Sequence, residues 1–241
     1  MLGGTAEARQ LGAALAGDAR YDATISLAGR TREPAAQPLP TRVGGFGGVE
    51  GLCRYLSAER ICALIDATHP FAARMSANAV AAAGVTGVPL LVLHRPPWTE
   101  RPGDRWTRVA TMAEAVAALG TTPQTVFVTI GRQDVAPLRA APWHRYILRS
   151  VEPPGLLDIP PNVEIVTARG PFELADELRL MSRGVDTLVT KNAGGTATVA
   201  KLHAARALGV PVVMIERPHA SAVTPATTVA DALAWLAERG A

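Results

Sequence analysis

The chain has 241 residues, 48% of them hydrophobic and 19% charged, enough to bury a core, and this excludes a disordered chain. Its net charge of +3 comes from scattered cations, which excludes a nucleic-acid-binding stripe and admits a small polyanionic ligand. Cys53 and Cys62 stand at no metal or redox spacing, and no apolar run approaches the roughly 18 residues of a membrane span or resembles a signal peptide, so a reduced, cytoplasmic setting away from membranes is expected.

In chain order, Met1 and Leu2 lead at once into Gly3-Gly4 and a helical pattern over residues 5–16. A phosphate-binding turn ordinarily follows a strand of about five residues. The first strand is therefore expected to be a stub, or the true start to lie several residues upstream. Apolar runs predict strands at 23–28, 63–66, 90–93, 125–130, 146–148, 163–166, 187–190 and 212–215. Helical periodicity predicts helices at 49–56, 72–83, 112–119, 172–181, 196–208 and 226–238, with Gly84, Gly120, Gly184 and Gly209 closing four of them. Strands alternating with helices define an α/β fold with parallel sheets. The Pro-rich stretch 95–104 interrupts the series, so a boundary is expected there, giving domains 1–95 and 96–241 with the C-terminal helix free to pack back on the first.

Four segments carry chemistry. Gly3-Gly4-Thr5 between strand and helix lets the backbone approach a pyrophosphate, although the strict G-x-G-x-x-G spacing is absent. After the second strand the chain reads Ser26 to Thr31, with no carboxylate before Glu33 to hold a ribose diol. Arg30 there can grip a phosphate bidentately, so a bound dinucleotide is expected to be NADPH rather than NADH. Gly44-Gly45-Phe46-Gly47 is a further glycine cluster ahead of a helix. Asp66 to Phe71 follows a strand and places Thr68 or His69 at its carboxyl end, where α/β sheets bind ligands. There is no Gly-x-Ser-x-Gly elbow, and the five histidines show no ligand spacing, so no metal is expected.

A fifth segment draws on a peculiarity of composition. Of the 24 lysines and arginines only Lys191 and Lys201 are lysines, and both fall in the segment Thr190 to Lys201, which contains Asn192, Gly194, Gly195 and Thr196. Strand, Gly-rich turn and helix make an anion site from backbone N–H groups, and Lys191 adds a mobile charge at its mouth. Arg132, Arg149, Arg169 and Arg217 also follow strand ends, and together they predict a cationic crevice.

These residues, in this order, resemble the precorrin-6A reductase family of cobalamin biosynthesis. The likeness rests on GGTAEAR at 3–9, SLAGRT at 26–31, PLPTRVGGFGG at 38–48, DATHPFAARMSANA at 66–79, Gly131-Arg132, ARGPF at 168–172 and KNAGG at 191–195 running on to Lys201. The resemblance implies two Rossmann-like domains with an active-site cleft between them. It implies an oxidoreductase that uses NADPH to reduce one double bond of the precorrin-6A macrocycle, giving precorrin-6B, by hydride addition and protonation of the adjacent carbon.

The roles assigned on that basis place the pyrophosphate at Gly3, Gly4 and Thr5, and the 2′-phosphate at Arg30 and Thr31. Gly44, Gly45, Phe46 and Gly47 line the cofactor groove, and Thr68 and His69 lie near the nicotinamide. Arg132, Lys191, Asn192, Gly194, Gly195, Thr196 and Lys201 bind the carboxylates of the tetrapyrrole. His69, Lys191 and ordered water are the candidate proton donors. The expected protein is a monomer. Alternatives are reduction of the cobalt-containing intermediate or of another anionic substrate, and a non-catalytic NADP sensor, which would not need the second cationic site. A methyltransferase is disfavoured by the missing acidic residue after the second strand.

Overall fold

Leu2 pairs in parallel with Ser26 on one side and Asp66 on the other in a computed structural model, which describes residues 1–29, 35–155, 157–218 and 225–239. Leu2 N–H donates to Ile65 O at 2.8 Å, and Ala67 N–H donates back to Leu2 O at 2.9 Å. The stub is thus a fully bonded central strand, short as it is. The chain divides into two compact units, Met1–Pro96 with Pro218–Ala241, and Pro97–Arg217.

In the first unit the elements are α1 (Ala6–Ala16), β1 (Ile25–Leu27), β2 (Thr41–Val43), α2 (Val49–Ala58), β3 (Leu64–Asp66), α3 (Ala73–Thr86) and β4 (Leu90–Val92). β1 pairs with β2 and β3 with β4, all in parallel, and Leu2 joins the two pairs. Counting the stub first, the strand order is 3-2-1-4-5, the Rossmann order, which reverses between the stub and β3. Side-chain alternation sends Ile65 to the face covered by Leu11 and Leu15 of α1, and Leu64 to the face covered by Leu52 of α2 and Ala79 of α3. β2 escapes the apolar-run criterion because Thr41, Arg42 and Val43 lie at an open edge rather than in the core. The helix expected to stop at Gly84 continues to Thr86. Gly87, with φ of 73°, supplies the left-handed cap instead, donating its N–H to Ala83 O.

The second unit contains β5 (Trp106–Val109), α4 (Met112–Leu119), β6 (Thr125–Thr129), a 3-10 turn (Ala136–Ala140), β7 (Arg145–Ser150), β8 (Val163–Thr167), α5 (Leu174–Met181), β9 (Thr187–Lys191), α6 (Ala200–Leu208) and β10 (Val212–Ile215). Its six strands are parallel in the order β5-β10-β9-β6-β7-β8, around a core containing Phe127, Ile147, Leu188 and Met214. From β6 the chain winds outward through β7 to β8, then returns on the other side with β9. The reversal therefore falls between β6 and β9. α6 starts four residues later than its periodicity suggests, because Thr196 O is taken by Val199 N–H in a turn ahead of the helix.

The C-terminal segment belongs to the first unit. Ala226 pairs in parallel with Leu93, taking the sixth position in the Rossmann order, and α7 (Val229–Ala237) packs Ala232 and Leu236 against Leu11 of α1. A capping box between Thr228 and Asp231 fixes its start. Among the described residues no helix is long and apolar enough to cross a membrane.

Candidate active site

Parallel α/β sheets bind ligands outside the carboxyl ends of the strands on either side of the reversal point. In the first unit those ends are Gly3-Gly4 and Ala67-Thr68-His69. Gly3 N–H is held by Ser26 O at 2.9 Å, and a Cβ at Gly3 would meet Ile25 at 2.6 Å. Gly4 has φ of 117° and open space where a side chain would be, so its backbone is approachable from outside. Thr5 caps α1. Its hydroxyl accepts from Ala8 N–H at 3.1 Å and gives its one proton to Ala67 O at 2.8 Å. This bond ties the exits of the stub and β3 together, leaving backbone N–H groups rather than the Thr5 hydroxyl for a phosphate.

Thr68 is buried, and its hydroxyl donates to Asp66 Oδ1 at 2.6 Å, an oxygen that also accepts Thr68 N–H at 3.0 Å. His69 Nδ1 accepts from Phe71 N–H at 3.2 Å, so the neutral ring carries its proton on Nε2. Gly44, Gly45 and Gly47 follow β2 with open space at each Cβ position, and Phe46 packs edge-on to Tyr55 at 5.1 Å. Gly51 on α2 is what seats this turn: a Cβ there would lie 1.6 Å from Phe46 O. Gly51→Ala is expected to push turn and helix apart at a cost of about 1–3 kcal/mol, read as a lowered thermal midpoint; an unchanged midpoint would mean the turn gives way freely. Arg30 and Thr31 lie outside the described residues.

In the second unit the reversal lies between β6 and β9, whose exits carry Gly131-Arg132 and Lys191. Thr129 Oγ1 and Thr190 Oγ1 bond across the two strands at 2.9 Å. Each cation expected in a crevice has a partner. Lys191 Nζ is bonded to Asp134, Arg132 pairs with Glu152 at 3.2 Å, and Arg217 donates to Asn192 O and Ala193 O. Arg149 is buried against Glu177 at 2.6 Å and takes no part in any surface. The reversal point is thus charge-balanced rather than bare. Asp134 and Glu152, which motif reading missed, occupy the cations as a ligand's carboxylates would.

The Gly-rich turn after β9 is built the same way. Gly194 and Gly195 have φ of 70° and 76°. Asn192 is fully buried, its amide accepting from Trp98 N–H at 2.8 Å and donating to Trp98 O at 3.1 Å. Trp98 Nε1 in turn donates to Gly195 O at 2.8 Å. Lys201 is only 4% exposed, its ammonium 5.1 Å from the Trp98 ring. Asn192 and Lys201 therefore support the turn from behind, while Lys191 and exposed Thr196 lie at its surface. Trp98 is invisible to motif reading because it sits in the Pro-rich boundary. Its rarity, one of four tryptophans, was the available signal. Among the described residues no group of His, Cys, Asp or Glu is arranged to hold a metal.

Parallel sheets with glycine turns at their reversal points define an α/β protein of the doubly wound class. The chain belongs to the precorrin-6x reductase CbiJ/CobK family, whose model matches residues 1–237. It is 51% identical over its whole length to a precorrin-6A reductase of Rhodobacter capsulatus, covering 96% of that protein. It is 53% identical to one from a Sinorhizobium species, over 90% of this chain and 84% of that one. Among solved structures, a chain titled CobK precorrin-6A reductase superposes with a TM-score of 0.94 at 51% identity, covering all of this chain and 96% of the other.

Proposed function

We propose that this protein is an NADPH-dependent oxidoreductase that reduces one carbon–carbon double bond of precorrin-6A to give precorrin-6B in corrin-ring biosynthesis. The observation that carries the reading is a likeness of 51% identity running through both units, so that the turns at both reversal points fall within the shared length. The donor set fits the cofactor. Gly4, Gly44, Gly45 and Gly47 leave room for a ligand against bare backbone, and the start of α1 directs N–H groups toward a pyrophosphate. Bound NADPH supplies the hydride.

The protein's own residues bind, orient and protonate. Lys191, with Arg132 and the N–H groups of the 194–196 turn, takes carboxylates of the macrocycle in exchange for Asp134 and Glu152. The proton for the adjacent carbon comes from Lys191 Nζ rather than from His69. His69 accepts an N–H at Nδ1, and acting as an acid would require protonating that nitrogen and losing the bond to Phe71. The Lys191 ammonium is a three-proton donor, and Asp134, 47% exposed at the side chain, links it to solvent for reprotonation. The site is proposed to sit in one polypeptide acting as a monomer.

Mixing the full chain with NADPH and precorrin-6A should consume cofactor and shift the pigment spectrum together, mole for mole. A parallel assay with the cobalt-containing compound separates the two substrates. Cofactor loss without a pigment change, or no loss with either pigment, would overturn the reading.

A further inference from the structure

Arg42 lies at the centre of β2, in register with Ser26 of β1. Its guanidinium stands 3.9 Å from the Phe46 ring centroid and 5.3 Å from that of Tyr55. One terminal nitrogen donates to Gly44 O at 2.5 Å and to Ser26 Oγ at 3.3 Å, and the other donates to Gly45 O at 2.9 Å. Two consecutive carbonyls of the glycine turn are thereby drawn onto one cation, which gives the turn its shape.

Among the described residues the charge itself meets no counter-ion. Arg95, Arg108, Arg132, Arg149 and Arg206 each meet a carboxylate, whereas Arg42 forms no ion pair among the described residues. Its Nε–H and one terminal N–H likewise make no hydrogen bond among them. A half-buried guanidinium, fixed by ring faces and carbonyls and with no carboxylate partner among the described residues, is a preorganised receptor for an anion. Its location narrows the anion. β1 is the second strand of the Rossmann order, and the cofactor's adenosine ribose is received just beyond the carboxyl end of that strand. Ser26, which Arg42 touches, is three residues short of Gly29 at that end.

We propose that Arg42 is a specificity-determining residue for NADPH over NADH, its guanidinium meeting the ribose 2′-phosphate beside β1 while its other N–H groups hold the Gly44–Gly45 carbonyls. The proposal rests on the NADPH reading above. A 2′-hydroxyl offers this cation a neutral acceptor, whereas a phosphate monoester offers a dianion, so the two cofactors are separated by charge.

The test is binding, not turnover. The full-length protein is titrated with NADPH and with NADH by the fluorescence of the reduced nicotinamide, alongside Arg42→Met and Arg42→Lys, each checked by thermal melting. In Arg42→Met, NADPH affinity should fall roughly 10- to 100-fold more than NADH affinity, the loss of one charge-assisted interaction. Arg42→Lys retains a charge but not the fork, so it should weaken both cofactors and keep part of the preference. Equal losses for the two cofactors in Arg42→Met would show that Arg42 only shapes the turn, and unchanged affinities would dismiss it altogether; either overturns the proposal. If Arg42→Met is unfolded, Arg42→Lys decides: a retained preference supports the proposal and an abolished one overturns it. Wild-type protein that fails to bind NADPH would sink the cofactor reading itself, a result distinct from wild-type binding with an indifferent Arg42→Met.

Discussion

Arg149→Ala is expected to destabilise the protein by about 3–5 kcal/mol, the cost of stranding one member of a buried ion pair. The Arg149 and Glu177 side chains are 7% and 0% exposed and meet at 2.6 Å. Burial pulls the Arg149 guanidinium below its ordinary pKa range, and the Glu177 charge opposes that pull. Among the described residues Glu177 Oε2 has no hydrogen-bond partner, so removing the guanidinium leaves a buried carboxylate without its counter-ion. The guanidinium also stacks 3.7 Å over Phe172 and lies 5.0 Å from the Phe127 ring. For a chain of this size the loss corresponds to a fall of about 6–20 °C in thermal midpoint. The double variant Arg149→Met, Glu177→Met removes both charges and should melt well above Arg149→Ala, because apolar side chains of similar volume replace a buried pair at little cost. A single variant that melts like wild type would show that water reaches Glu177.

The same pair has a local consequence. Phe172 N–H donates to Ala197 O at 3.1 Å, and a Cβ at Gly170 would come within 3.2 Å of that oxygen. The stacked ring therefore holds the far side of the Gly194–Ala197 turn, as Trp98 holds the near side through Gly195 O. Loss of Arg149 should loosen the turn before the sheet unfolds.

The parts of this architecture that could be read from residues alone were those with a strong local cause. α4 was bounded correctly because Thr111 caps it and Gly120 ends it, and β10 because four apolar residues lie in the middle of a buried sheet. β2 and β5 left no such trace. Both lie at sheet edges, and their partly exposed residues give neither an apolar run nor a clean alternation. The turns of the site were visible as glycine clusters, since open backbone leaves a mark in composition. What each side chain does at them was not visible, because that depends on partners distant in the chain: Asn192 on Trp98, Lys191 on Asp134, Thr5 on Ala67. Arg149 and Lys191 look alike as cations at strand ends. Only the packing of α5, which brings Glu177 beneath β7, makes one a buried brace and leaves the other at the surface.

Lys191→Ala tests that distinction where the effect on function should be largest. Lys191 lies at the exit of β9, at the reversal point of the second unit, and its charge is shared with Asp134. A ligand carboxylate that replaces Asp134 there gains a charge-assisted hydrogen bond of about 1.5–3 kcal/mol. Removing the ammonium forfeits that bond and leaves Asp134 as an uncompensated like charge. The KM for precorrin-6A should therefore rise about 10- to 100-fold. Affinity for NADPH should stay near the wild-type value, because the turns proposed for it belong to the first unit. Lys191→Arg separates binding from proton delivery. It restores the charge, so KM should recover, but a guanidinium does not release a proton in this pH range, so kcat should remain low. Steady-state kinetics with each substrate varied in turn, together with a direct NADPH titration, resolve the two effects. Recovery of kcat as well as KM in Lys191→Arg would reduce Lys191 to a carboxylate anchor and return the proton to ordered water. A loss of NADPH affinity with an unmoved KM for the macrocycle would assign the Gly-rich turn after β9 to the cofactor instead.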